Sequence, residues 1–122
     1  MNYLFSNNIS SSIQPILADF LEIMQAHYGE ELYGILLYGS YARDEAHEES
    51  DIDVLVIIDR IEIDVYEEVT DIVSLIYELD YKYNQILSVF PMSETEWESG
   101  DSFFLNQVRK DRIYLWRNTL VQ

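Results

Sequence analysis

The sequence predicts an α/β domain in which a small mixed β-sheet is packed by helices, and three observations predict it. Apolar residues recur at helical spacing over two long segments, residues 13–24 and 65–79. Residues 52–58 are β-branched and apolar on both faces, the pattern of a strand buried from either side. Shorter helix-like and strand-like stretches alternate with these in the order α-β-α-β-α-β-α-β.

The elements follow in turn. Ile13, Ile16, Leu17, Phe20, Leu21 and Met24 form the first helix, running to about His27 after a serine run that can cap it, with Pro15 in the tolerant first turn. Residues 32–38 are short, apolar and aromatic and end at Gly39, which reads as a buried strand closed by a tight turn. Residues 41–46 are expected to form a short helix. The strand at 52–58 is expected to be central. Val65, Val69, Ile72, Val73, Ile76 and Leu79 mark the second long helix, with Glu67, Glu68, Asp71 and Glu78 on its wet face. A third strand is expected at 85–90, stopped by Pro91, and Ser93 with Glu96 makes a capping box for a short helix containing Trp97. A further helical stretch at 103–109 and a short last strand at 112–116 complete the order. No internal repeat, low-complexity tract or interdomain linker interrupts it.

Composition bounds the function. The length of 122 residues suits one domain over residues 1–122, and 48% hydrophobic with 14% aromatic residues supplies a real core. There is no cysteine, which excludes disulfide scaffolds, thiolate zinc sites and a cysteine nucleophile. The amino terminus lacks a basic start followed by an apolar run, and no apolar stretch approaches the roughly 20 residues that span a bilayer. A soluble, cytoplasmic protein is expected. With 23 acidic against 7 basic residues the net charge is −16, which repels a phosphate backbone and attracts a basic protein. Arg109, Lys110, Arg112 and Arg117 cluster near the carboxyl terminus and read as a solvated balance to the acidic body.

The chemistry concentrates in Gly39-Ser40-Tyr41-Ala42-Arg43, an acidic stretch, and Ser50-Asp51-Ile52-Asp53. Asp51 and Asp53 stand two apart at the mouth of a strand, so both carboxylates point to one face, about 6 to 7 Å apart along the chain. Six carboxylates fall in the ten residues 44–53, and hard oxygen donors without cysteine favour magnesium or manganese over zinc. Gly39 and Ser40 make a glycine turn of the kind that cradles phosphate. Ten residues separate Ser40 from Asp51, too few for a parallel crossover, so the two strands are expected to pair antiparallel. That pairing sets the phosphate turn beside the carboxylate pair, the parts needed for phosphoryl or nucleotidyl transfer. Arg43 either touches nucleotide phosphate or holds the loop by pairing with Asp51 or Asp44. His47 reads as an exposed loop residue and His27 as a helix-end residue, neither with a catalytic role.

Gly39-Ser40, ten residues, then Asp51-x-Asp53 resembles the signature of the DNA-polymerase-β-like nucleotidyltransferase superfamily. The small size and Gly39-Ser40-Tyr41-Ala42-Arg43 are similar to the minimal nucleotidyltransferase (MNT) domain, the antitoxin half of HEPN/MNT toxin–antitoxin pairs. The resemblance implies the nucleotidyltransferase fold, with Gly39 and Ser40 binding the triphosphate of ATP and Arg43 a further nucleotide-binding candidate. It implies that Asp51 and Asp53 are the catalytic carboxylates and hold two magnesium ions. It also implies the reaction: AMP moves from ATP to a tyrosine hydroxyl of a HEPN-domain ribonuclease toxin, silencing it and releasing pyrophosphate. Two positions depart from the pattern. Asp44 stands where glycine is common, and residues 83–89 supply no third carboxylate on the strand after the long helix, since Asn84 and Gln85 cannot act as a base and Asp80 lies on the helix end. Transfer then relies on metal activation or on the partner, and slow activity is expected. The competing expectation is a degenerate fold that blocks the toxin by direct contact. Transfer to a small molecule such as an aminoglycoside needs a second substrate domain, for which 122 residues leave no room.

Overall fold

The computed structural model describes residues 9–119. Ser10 caps a 3-10 turn at Ser11–Ile13, its hydroxyl accepting the Ser12 N–H, and α1 (Gln14–Tyr28) follows with Pro15 in the first turn, where no helical donor is missed. Ile16, Leu17, Phe20, Leu21, Met24 and Tyr28 form its buried stripe. β1 (Leu32–Tyr38) and β2 (Ile52–Ile58) pair antiparallel, as the short connection requires, with Tyr38 opposite Asp53. α2 (Val65–Tyr83) is capped by Asp64, whose carboxylate accepts the Glu67 N–H at 3.2 Å, and it carries the chain over to β3 (Leu87–Ser93), parallel to β2. α3 (Glu94–Ser99), α4 (Phe103–Asp111) and β4 (Ile113–Arg117) complete the described chain. The sheet order is β3-β2-β1-β4, with β4 antiparallel to β1, so β2 is internal as expected and the sheet is mixed.

Period-two alternation gives the sheet two apolar faces. Ile52, Val54, Val56 and Ile58 of β2, with Ile35, Leu37 and Leu87, pack under α1 and α2. Leu55 and Ile57, with Leu36 and Met92, pack under Trp97, Leu105 and Val108 of α3 and α4. This double burial is why residues 52–58 read as unbroken apolar sequence. Alternation sends Asp53, near the start of β2, towards the second face.

Three boundaries differ from the sequence reading. The expected helix at 41–46 is a compact turn: Arg43 N–H donates to Gly39 O at 3.1 Å and Glu45 N–H to Ser40 O at 2.8 Å, and Asp44 at φ 59° turns the backbone left-handed, which prevents propagation. The third strand starts at Leu87, because Asn84 ends α2 at φ 52°, and it runs through Pro91 to Ser93. Pro91 does not stop it, because β3 is an edge strand among the described residues, with no described strand on its other side. The last strand lies one residue later than expected. Ser93 does cap α3, its hydroxyl accepting the Glu96 N–H at 3.1 Å.

Candidate active site

β1 ends where β2 begins, and this end of the sheet gathers the residues singled out by the sequence. Gly39 follows Tyr38 with φ 77°, a left-handed conformation that glycine adopts without cost. A second constraint acts on the same position. A β-carbon built on Gly39 would collide with the Asp53 carboxylate, standing 3.1 Å from its Cγ and 3.2 Å from its Cβ. The carboxylate therefore lies directly against the main chain of the turn.

Asp53 is half-buried and Asp51 exposed. Loss of hydration, and then the charge of Asp51, push the Asp53 carboxyl above the ordinary carboxylate range, with Arg43 acting in the opposite sense. The two carboxylates thus repel one another, which is the condition that a divalent cation relieves. Their hard oxygen donors suit magnesium. The Tyr38 hydroxyl, beside Asp53 across the strand pair, is pushed up to about 12 by burial and by the Asp53 charge.

Arg43 pairs with neither Asp51 nor Asp44. Its Nε donates to Glu45 at 2.8 Å and its Nη1 to Asp111 at 2.7 Å, and the Asp111 side chain is only 6% exposed. The turn is thereby tied to the end of α4. The other end of α4 reaches the same region, where Phe104 meets the Tyr38 ring edge-on at 5.6 Å and the Phe90 ring at 5.3 Å. Asp111 and Phe104 were invisible to local sequence reasoning, because nothing in residues 39–53 signals a partner more than 50 positions away.

Residues around the missing third carboxylate have other tasks. Asn84 caps α2, Gln85 donates to Ser12 O at 3.1 Å, and Asp80, on the helix end as expected, accepts the Leu87 N–H at 3.1 Å. The β3 residue in register with Asp53 is Ser88, which is exposed. His47 lies in the exposed loop, its ring accepting the Glu49 N–H at 3.2 Å. His27, with Glu68 and Asp71, makes a group able to gather a metal ion at the opposite end of β1 and β2, but Glu68 already accepts from Tyr28 at 2.7 Å and Arg60 at 3.1 Å. No described helix is long and apolar enough to cross a membrane.

The family model for the nucleotidyltransferase domain matches residues 17–115. Two Methanocaldococcus jannaschii proteins named as candidate protein adenylyltransferases are similar to the chain. One is 36% identical over 83 residues, 66% of this chain and 53% of that protein, so the match spans about half of the relative's length. The other is 31% identical over 102 residues, 82% of this chain and 95% of that protein. Among solved structures, a toxin–antitoxin complex with AMP-PNP matches at TM-score 0.58 and 19% identity, over 84% of this chain and 75% of that one. The complex of tri-AMPylated Shewanella oneidensis HEPN toxin with MNT antitoxin matches at TM-score 0.52 and 18% identity, over 87% of this chain and 76% of that one. At these identities the structural matches speak for the fold.

Proposed function

The chain belongs to the nucleotidyltransferase domain family, and from that premise we propose that it is an antitoxin that moves AMP from ATP to a tyrosine of a HEPN-domain ribonuclease toxin. The observation that carries this reading is the packing of the Asp53 carboxylate against Gly39, with the Asp51 charge beside it. A phosphate turn and a pair of metal-ligating anions at one sheet end are what a nucleoside triphosphate with its cations requires. The names of the M. jannaschii relatives and of the AMPylated toxin complex support protein as the acceptor.

In this mechanism the Gly39-Ser40 turn seats the triphosphate and Arg43, braced by Asp111, keeps the turn in shape. Asp51 and Asp53 would hold magnesium, which when bound supplies the positive charge that offsets the triphosphate and the departing pyrophosphate. The acceptor phenol oxygen bonds to the α-phosphorus, the bond from that phosphorus to the bridging oxygen breaks, and pyrophosphate leaves. Ser88, the β3 residue in register with Asp53, cannot take the phenol proton, so β3 offers no general base for its removal and transfer is slow. With ATP as substrate, the reaction belongs in the cytoplasm.

The Ser88 position and the net charge of −16 also favour a second reading, a protein that neutralises a basic toxin by contact alone. One experiment separates the two. The HEPN protein is incubated with the chain, ATP and magnesium, then weighed. An added AMP mass that disappears with Asp53→Asn supports transfer; an unchanged mass in a tight complex supports contact alone.

A further inference from the structure

We propose that the acceptor protein docks on the carboxyl-terminal half of α2, laying a basic surface over a ridge made by Tyr77 and Tyr81. This rests on the transfer reading above and adds to it the seat of the second substrate. The core face of α2 is already complete in Ile72, Ile76 and Leu79, which are buried. On nearly the opposite side, positions 66, 73, 77 and 81 fall in one stripe at helical spacing. It carries Tyr66 at 82% exposure, Val73 at 52%, Tyr77 at 62% and Tyr81 at 93%. Folding does not need these side chains, whereas protein interfaces are enriched in exposed tyrosine.

The relief of the surface is specific. Tyr77 and Tyr81 both line an open depression of about 850 Å³ and a second of about 590 Å³, so they stand as a ridge between the two. Glu48, Glu49, Asp51 and Asp80 lie on the wall of the larger one, and no lysine or arginine does. Four carboxylates with no basic side chain among them favour a cationic occupant over a metal-free anion. A second copy of this chain fits poorly, because it would bring a net charge of −16 against that wall. A basic protein matches the charge of the larger depression and the aromatic ridge, and Lys82 on the smaller depression is already paired with Asp19 at 3.3 Å. Asp51 belongs to the wall and to the carboxylate pair alike, so a protein seated there reaches the nucleotide.

The test is steady-state AMP transfer to a HEPN-domain ribonuclease from the same genome, with Tyr77→Ser/Tyr81→Ser compared with the wild-type chain. KM for the acceptor is expected to rise about tenfold or more while Mg·ATP affinity, read by calorimetry, stays within about twofold. Glu48→Lys/Glu49→Lys is expected to weaken acceptor binding, and wild-type binding to weaken with salt. Phe103→Ser, at a site 83% exposed on α4, serves as control and leaves KM unchanged. A double-tyrosine variant with wild-type KM overturns the docking surface alone, as does one that loses Mg·ATP affinity or a control that loses as much. A wild-type chain that neither binds nor modifies the acceptor overturns the transfer reading and this surface together.

Discussion

The Asp53 carboxylate occupies the space that a β-carbon on Gly39 would need. The glycine of the turn is therefore set by two independent demands, its φ of 77° and its contact with the carboxylate. The turn and the Asp53 carboxylate are packed together, and any side chain at position 39 would force one of them to move.

Gly39→Ala tests that packing. Alanine in a left-handed conformation costs about 1–2 kcal/mol before any collision is counted. Relief of the collision requires the Asp53 carboxylate to move away from the turn. The variant is expected to keep its far-UV circular dichroism, melt at a lower temperature, and lose Mg·ATP affinity by about tenfold or more in calorimetry. Unchanged Mg·ATP affinity would show that the Gly39–Asp53 contact has no part in binding.

Local chemistry made much of this site legible. The ten residues between Ser40 and Asp51 dictated antiparallel pairing, which sets Asp53 opposite Tyr38 beside the turn, because that rule acts within a short span of chain. The turn itself departs from the helix expected there. Helix spacing in residues 41–46 is a weak signal, and the left-handed Asp44 overrides it where the glycine common in this family would do so more openly. Local pattern makes Pro91 a strand end, but its place on an edge depends on sheet order, which no local pattern encodes. The brace from Asp111 to Arg43 and the register that sets Ser88 beside Asp53 are likewise products of tertiary assembly.

The Arg43–Asp111 pair is expected to behave asymmetrically. Asp111 is the last residue of α4, where the helix dipole already disfavours a carboxylate, and its side chain is almost fully buried. Arg43→Ala strands that charge, whereas Asp111→Asn removes it. Thermal melts should show Arg43→Ala as the more damaging change, with the double variant recovering part of the loss. Additive losses would mean that the pair does not act as one.

Alkaline stability should depend on Tyr33. Burial first, and then its hydrogen bond to Glu98 at 3.0 Å, push the hydroxyl up to about 12, against about 10 in an unfolded chain. Between those values the unfolded state releases its proton first, so stability is full below pH 10 and falls as pH rises towards 12. Urea titrations at pH 9 and 11.5 should show a smaller difference for Tyr33→Phe than for the wild-type chain. An identical difference would remove Tyr33 from the alkaline limb.

Ser88→Asp addresses the chemistry itself. β3 runs parallel to β2 with Ser88 in register with Asp53, and residues paired across neighbouring strands project to the same face. An aspartate there adds a third carboxylate beside the first two, in position to accept the phenol proton as the bond to phosphorus forms. General-base assistance contributes about 10²–10⁴-fold where proton removal limits the rate. Single-turnover AMP transfer to the HEPN acceptor is therefore expected to rise by at least about tenfold in Ser88→Asp and to stay near the wild-type rate in Ser88→Ala. The added anion also sharpens repulsion within the group, so the metal-free variant should melt lower than wild type and regain more on addition of magnesium. A faster rate would locate the proton acceptor on β3 and explain slow transfer by the serine. An unchanged rate with restored magnesium binding would sink that explanation, because the carboxylate would then be in place and the proton would not be what limits the reaction.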